Sequence, residues 1–391
     1  MSDSPFPTGG GPFGDLLRDL AKLLTAQGPI NWEVARQLAT WAASEGKAEP
    51  NPDPLARIRT EELLRVADMH IAEATGLPTS RRGWLSLRSV TRAEWASSTL
   101  NAWKGTLTKL ASSLQPPDGG TGPLGGENNP MDQLLGNLPQ VIGPLLLGAQ
   151  AGTMVGHLAG RALGQYDMPV PPPASDELLA VPAAVDAFAA EWDLTQDDVR
   201  MYVCLRDVVH HAVLGQPHVA ELVQDHLSAY ASAFRVPMDA LEERLGSLDP
   251  TDPMSFQQSL GDPEALFGDI QTDEQRRLLL PFQAFLSALA GYTDYFIDKV
   301  GSRLVGAYPL VNEAFRRRRL EDGPGQRVLG KMLGIEVSQQ MIEKGHAFVA
   351  GVVERAGEEG LARLWEARSM LPTPAELDAP GLWLARIELP G

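Results

Sequence analysis

The residues with the densest capacity for chemistry lie in Tyr202–Gln224, YVCLRDVVHHAVLGQPHVAELVQ. A hydrolytic zinc helix needs two His one turn apart, at i and i+4. A Glu beside the first acts as general base on the metal-bound water. The corresponding frame here reads Arg206-Asp207-Val208-Val209-His210. It keeps the apolar pair and the closing His, but Arg206 stands at the first ligand position. A guanidinium is permanently charged and has no lone pair to give. Asp207 keeps a carboxylate at the general-base position, with one methylene less of reach. His210 is the one ligand position retained.

A second set can be drawn from the same segment. Asp207 and His211 are also at i and i+4, so His211 is a further candidate donor, and His218 and His226 lie beyond it. An Asp-His pair with a third imidazole would suit zinc or iron. The plainer reading has Asp207 holding a neighbouring Arg or orienting a His ring. Without its ligand partners, His210 reads as a hydrogen-bonded buried histidine, as do His70 and His157 on apolar helix faces. Cys204 reads as a small core residue. The run Arg316–Arg319 could contact phosphate, but a solvated helix end is the simpler account, its charge favourable beside a C-terminal dipole. There is no Gly-x-Ser-x-Gly elbow for a serine nucleophile.

The elements that must position these residues read as helices. Residues 1–14 are Gly, Pro and Ser with little to bury, which predicts disorder. Residues 15–114 form an N-terminal helical region: leucines recur at three and four from Leu16 to Leu24, and Trp32–Trp41 continues the pattern. Two or three further helices fit Pro54–Leu114. Residues 115–130 are a Gly/Pro linker that no helix could tolerate. Residues 131–391 form the second region. In it we expect helices at Asp176–Trp192 (capped at Ser175), 197–214, Val219–Phe234, Met238–Leu248, Asp273–Val305 and Ile335–Ala356. Only residues 84–90, WLSLRSV, allow a minor β element. The fold class is all-α.

Gly148, Gly152, Gly156, Gly160 and Gly164 recur at every fourth position. Residues at i+4 drift only slightly around a helix, so they form one ridge. Each costs about 1 kcal/mol of helix propensity relative to Ala, which close approach of another backbone would offset. A nucleotide-binding reading fails because no strand feeds a Gly-x-Gly turn.

Composition narrows the function classes. Fifty acidic residues against 33 basic ones give a net charge of −17 over 391 residues, which disfavours nucleic acid and anionic lipid as partners. One cysteine excludes an internal disulfide framework or a cysteine-based zinc site. Val141–Leu163 is long enough to span a bilayer, but Gln150, His157 and Arg161 interrupt it, so a buried helix is expected. The N-terminus shows no basic and apolar signal segments, which points to the cytoplasm. The eight tryptophans read as packing rather than as a base-stacking platform.

Several segments taken in order resemble the zincin-like metallopeptidases, a family also labelled as hydrolases or zinc-dependent metalloproteases. They are SVTRAEW at Ser89–Trp95, GAQAGTMVGHLAGRALGQYDMPVP at Gly148–Pro171, LRDVVHHAVL on the 197–214 helix, and RLWEARSMLPTPAELDAPGLWLARI at Arg363–Ile387. The resemblance runs from about Trp84 to Ile387. It implies a zincin-like helical fold in which two His and a Glu from a later Glu-Gly-His helix hold zinc. Carried onto this chain, the first ligand position is Arg206, the base Asp207, the second ligand His210 and the third Ala290, with Tyr292 where the His of the later motif falls. The implied protein is a degenerate scaffold with no cofactor, binding an unknown protein or peptide in the old cleft. Two alternatives stay open: an active zinc-dependent hydrolase with a site rearranged around Asp207, His210 and His211, and an assembly protein packing through the glycine ridge. Oligomeric state is not legible.

Overall fold

The computed structural model of the chain describes residues 28–113, 130–168, 175–233, 272–321, 330, 334–335 and 338–388. The leucine-rich start, the linker up to 129 and the expected Met238–Leu248 helix lie outside these residues. The rest is helical, with a single two-stranded parallel sheet. The all-α class with a minor β element holds.

The first helix, α1 (Trp32–Ser44), begins where Asn31 Oδ1 accepts the Val34 N–H at 3.1 Å. It buries an alanine stripe, Ala35, Ala39, Ala42 and Ala43. Then come α2 (Pro54–Thr75), β1 (Ser86–Ser89), α3 (Arg92–Ala102), α4 (Lys104–Ser113) and the long α5 (Pro130–Arg161). The alanine stripe exists to meet the glycine ridge of α5. A Cβ on Gly148 or Gly152 would run into the carbonyl oxygens of Asn31 and Ala35, and one on Gly156 would sit 2.7 Å from the Ala39 carbonyl oxygen. The ridge therefore buys a backbone-to-backbone contact inside the chain. Gly148, Gly152 and Gly156 are thus taken up by α1 within the chain and are not the surface through which an assembly reading would have the ridge grip another subunit. Gly160 has nothing within 4 Å and leaves the contact. Among the described residues no helix is long and apolar enough to cross a membrane.

A second correction concerns Asp176–Trp192. Its first residues form β2 (Glu177–Ala180), parallel to β1 with Ser86 opposite Glu177 and Ser89 opposite Ala180. The Asp176 carboxylate accepts the N–H groups of Arg81 and Arg82 at 2.9 and 3.0 Å. The Val181 N–H donates to Leu163 O at 3.0 Å, so the chain is held extended until Pro182. Helix α6 (Pro182–Glu191) starts there.

Helix α7 (Gln196–Leu214) is the centre of the molecule. Every residue from Val199 to Leu214 is buried except His210. It packs against α2 on one side and α9 (Asp273–Leu304) on the other, with α8 (Pro217–Ser232) following it in the chain. Cys204 is buried within it, as expected, and burial pushes its thiol up. Helix α9 starts with a capping box between Thr272 and Gln275. It packs on α11 (Gln339–Ala362) so closely that a Cβ on Gly291 would meet the Gly345 carbonyl. Helix α10 (Tyr308–Leu320) lies between them in the chain and packs on α7 and α9, and α12 (Pro374–Leu377) and α13 (Pro380–Glu388) close the fold over α11.

Candidate functional site

A cavity of about 900 Å³ lies where α1, α5, α7, α9 and α10 converge. Arg206 and His210 from α7 and Ala290 from α9 all line it. The three positions implied for metal ligands thus face one space. Asp207 does not. One helical step from Arg206, it points the other way, against Gly164.

Arg206 is 8% exposed and fully engaged. Its Nη1 donates to Asp167 Oδ1 at 3.0 Å, and its Nε and Nη2 donate to Asp207 Oδ1 at 3.2 and 3.0 Å. The other Asp207 oxygen accepts the Gln165 N–H at 2.6 Å. Asp167 Oδ2 accepts the N–H groups of Leu163 and Gly164 at 2.6 and 3.1 Å. Its Oδ1 also receives Arg318 Nη1 at 3.1 Å, while Arg318 Nη2 donates to the Arg161 carbonyl. The turn after α5 is therefore folded around Asp167 so that two guanidiniums share one carboxylate oxygen. Gly164 is required here because a Cβ would land on the Asp207 carboxylate.

The electrostatics follow from this geometry. Burial would raise the Asp167 carboxyl, but Arg206, Arg318 and the two N–H groups outweigh it and hold it well below the usual carboxylate range. Burial opposes the Arg206 charge, and the two aspartates more than restore it. Asp207 has fewer donors against its burial and is pushed up to about 6, with Arg206 limiting the rise. At pH 7 it is a carboxylate already committed to Arg206 and a backbone N–H. It is not a base free to act on a water.

His210 Nδ1 lies 2.8 Å from the Arg206 carbonyl, so it carries the proton and donates. Nε2 is left as a lone pair with no hydrogen-bond partner among the described residues. Burial lowers the ring's pKa to about 4, so it is neutral at pH 7. Tyr166 stacks on it, centroids 5.8 Å apart at 15°. His211 faces elsewhere: its Nδ1 shares a hydrogen bond of 2.8 Å with the Tyr166 hydroxyl. The rearranged set of Asp207, His210 and His211 is not brought together. His157 is exposed at the cavity wall rather than buried, and His70 is partly exposed.

One further group at the cavity escaped sequence reasoning. Asp294 on α9 takes a bidentate pair from Arg319 at 2.8 and 2.9 Å and lies 2.6 Å from His346 Nε2 on α11. Burial would raise its carboxyl, but Arg319 and His346 hold it far below the usual range. Arg318 and Arg319, adjacent on α10, thus tie two separate carboxylates. The solvated-end account of the arginine run holds only for Arg316 and Arg317, which are exposed. Aromatic packing is likewise mixed: Trp95, Trp365 and Trp383 are buried, while Trp41 is 62% exposed beside the cavity.

The pattern of the zincin-like metallopeptidases matches residues 30–384. The chain belongs to this family. A crystal structure from Chloroflexus aurantiacus, described as a "putative hydrolase with a novel fold", has the same fold: TM-score 0.63 and 22% identity, covering 93% of this chain and 100% of that one. No curated protein matches the chain. Zincins take their name from zinc, and the donor set here can be held against it. A catalytic zinc needs three protein ligands. His210 Nε2 is one donor, Ala290 has none, and both Asp207 oxygens are occupied. Among the described residues no group of three His, Cys, Asp or Glu side chains is placed to hold a metal ion. The described residues do not fit zinc.

Proposed function

We propose that this zincin-like chain is a scaffold without zinc chemistry, whose cleft binds a protein or peptide segment. One observation carries the reading: the first ligand position is filled, not simply lost. Arg206 is locked between Asp167 and Asp207, and a fixed cation at that point repels a divalent metal and consumes the carboxylate that would serve as base. The cavity that remains is of a size suited to a ligand of a few residues. Its walls mix the rings of Trp41, Tyr166 and Phe315 with a few polar groups, the usual make-up of a binding cleft.

Metal analysis of protein purified without chelator and without added metal tests this reading. We expect far less than one zinc per chain and no peptide hydrolysis. About one zinc per chain, with hydrolysis lost on His210→Ala, would overturn it.

A further inference from the structure

The polar groups of the cavity do not balance among themselves. On its deep wall, Arg206 is matched by Asp207 and Asp167, and Arg319 by Asp294. Arg318 has only a share of Asp167. Arg161, in the last turn of α5, has no ion pair among the described residues and lines the same space. The wall therefore carries one positive charge more than its carboxylates neutralise, in a chain whose net charge is −17. The negative end of the α5 dipole offsets part of this.

Two neutral groups are also left without partners. Thr293 is 2% exposed and lines the cavity, yet its hydroxyl has no hydrogen bond. Helical hydroxyls usually bond back to the carbonyl four residues earlier, and Thr60, Thr75 and Ser287 do so here at 2.7, 2.7 and 2.8 Å. A buried hydroxyl without a partner is costly unless something else supplies one. His210 Nε2 is the second group; His210 is half-buried, and this acceptor, fixed by the bond from Nδ1 to the Arg206 carbonyl, has no protein partner among the described residues.

We propose that the cavity takes a peptide C-terminus, its free carboxylate against Arg161 and Arg318 and a backbone N–H donated to His210 Nε2, with Thr293 Oγ1 bonding the same end. This deepens, and rests on, the peptide-binding reading above. A single excess positive charge suits a monoanion such as a carboxylate, whereas a phosphate monoester carries about −1.5 to −2. A purely oxyanionic ligand would also set its lone pairs against that of His210. A peptide end offers anion and donor within one residue. Ala290, with only a methyl group, leaves room beside them.

The test uses the full chain and an equimolar pool of N-acetyl tripeptides, supplied either as free acids or as C-terminal amides, with retention read by native mass spectrometry. Acids should be retained and amides not, and inorganic phosphate should compete weakly. Arg161→Gln and Thr293→Val should each weaken the retained acid roughly tenfold, the scale of one hydrogen bond to a charged group, while their melting temperatures stay at or above that of the parent chain. Equal retention of acids and amides overturns the carboxylate site and leaves the peptide-binding cleft standing. Retention of neither removes both. Unchanged affinity in both variants also overturns the carboxylate site. The retained tripeptide, appended to the end of an unrelated carrier protein, separates the sources. Capture of the carrier assigns the site to protein tails, and capture of the free tripeptide alone assigns it to free peptides; either outcome supports a carboxylate site.

Discussion

Two buried carboxylates, Asp167 and Asp294, line the cavity, and they are held differently. Asp167 sits in a turn, with both oxygens spent on two backbone N–H groups and on Arg206 and Arg318. Asp294 sits in mid-helix, held by side chains alone, Arg319 and the partly exposed His346. The first arrangement shapes the backbone, and its loss would unpick the turn between α5 and β2. The second only staples finished helices together. Nearly the same charge pairing therefore does two jobs, set by whether backbone donors take part.

The contrast predicts unequal damage. Arg206→Met should cost about 3–5 kcal/mol, because it leaves Asp207 a buried carboxylate without its counter-ion. Arg319→Met should cost clearly less, since its side chain is 30% exposed and water can reach the carboxylate it leaves behind. Urea unfolding of the two variants side by side measures the difference; equal losses would erase the distinction. Gly164→Ala attacks the same turn from the backbone. Its new methyl meets the Asp207 carboxylate and lies 3.1 Å from Val203 Cγ1, and overpacking of that kind costs about 1–3 kcal/mol. The same change at Gly160, which meets nothing within 4 Å, should be neutral or slightly stabilising.

Much of this arrangement was legible in the sequence. Helical periodicity placed α7, α8 and α9 to within two residues, α11 was expected four residues early at its start and six short at its end, and the β element at 84–90 appeared as β1. The four-residue glycine spacing announced a close backbone contact before its partner, the Asn31–Ala42 face, was known. The carboxylate-bearing half of the site was not legible. Asp167 meets Arg206 and Arg318 across 39 and 151 residues of chain, and no local pattern encodes such a meeting. β2 failed for the same reason: Glu177–Ala180 is a good helix start until β1 pairs with it from 91 residues away. Gly164 read as the last member of a ridge, but its reason is a side chain, Asp207, rather than a backbone.

Asp207, which backs Arg206, differs from Asp167 and Asp294 in the sign of its pH dependence. Asp207 titrates higher in the folded chain, at about 6, than the ordinary value of 3.8. The folded state therefore binds its proton more readily, and this group's stabilisation, full below pH 4, is lost as pH rises towards 6. Asp294 titrates lower than its ordinary value, so its contribution is present above that value and is lost as the solution is acidified further. Asp207→Asn should flatten the fall in stability between pH 4 and 6 relative to the parent chain. Asp294→Asn should leave that window unchanged and alter only the acid limb. Urea midpoints at closely spaced pH values read both, and a flattened window in Asp294→Asn would contradict the assignment.

The smallest effect is expected at the arginine run, where the comparison is sharpest. Arg317 and Arg318 are neighbours on α10 and differ by one helical step. Arg317 is 62% exposed and pairs with Glu313 one turn back, the geometry of a surface ion pair worth about 0.3–0.5 kcal/mol. Arg318 is 16% exposed and reaches Asp167 with its guanidinium over the Phe188 ring, 5.7 Å from the centroid. Arg317→Ala should shift the unfolding midpoint by an amount near the limit of measurement, and that shift should shrink in high salt. Arg318→Ala should shift it several times further and stay largely insensitive to salt, because a buried pair is poorly screened. If both variants behaved alike in low and high salt, α10 would be a solvated basic end along its whole last turn, and the bridge it makes between the two carboxylates would carry no weight in the folded chain.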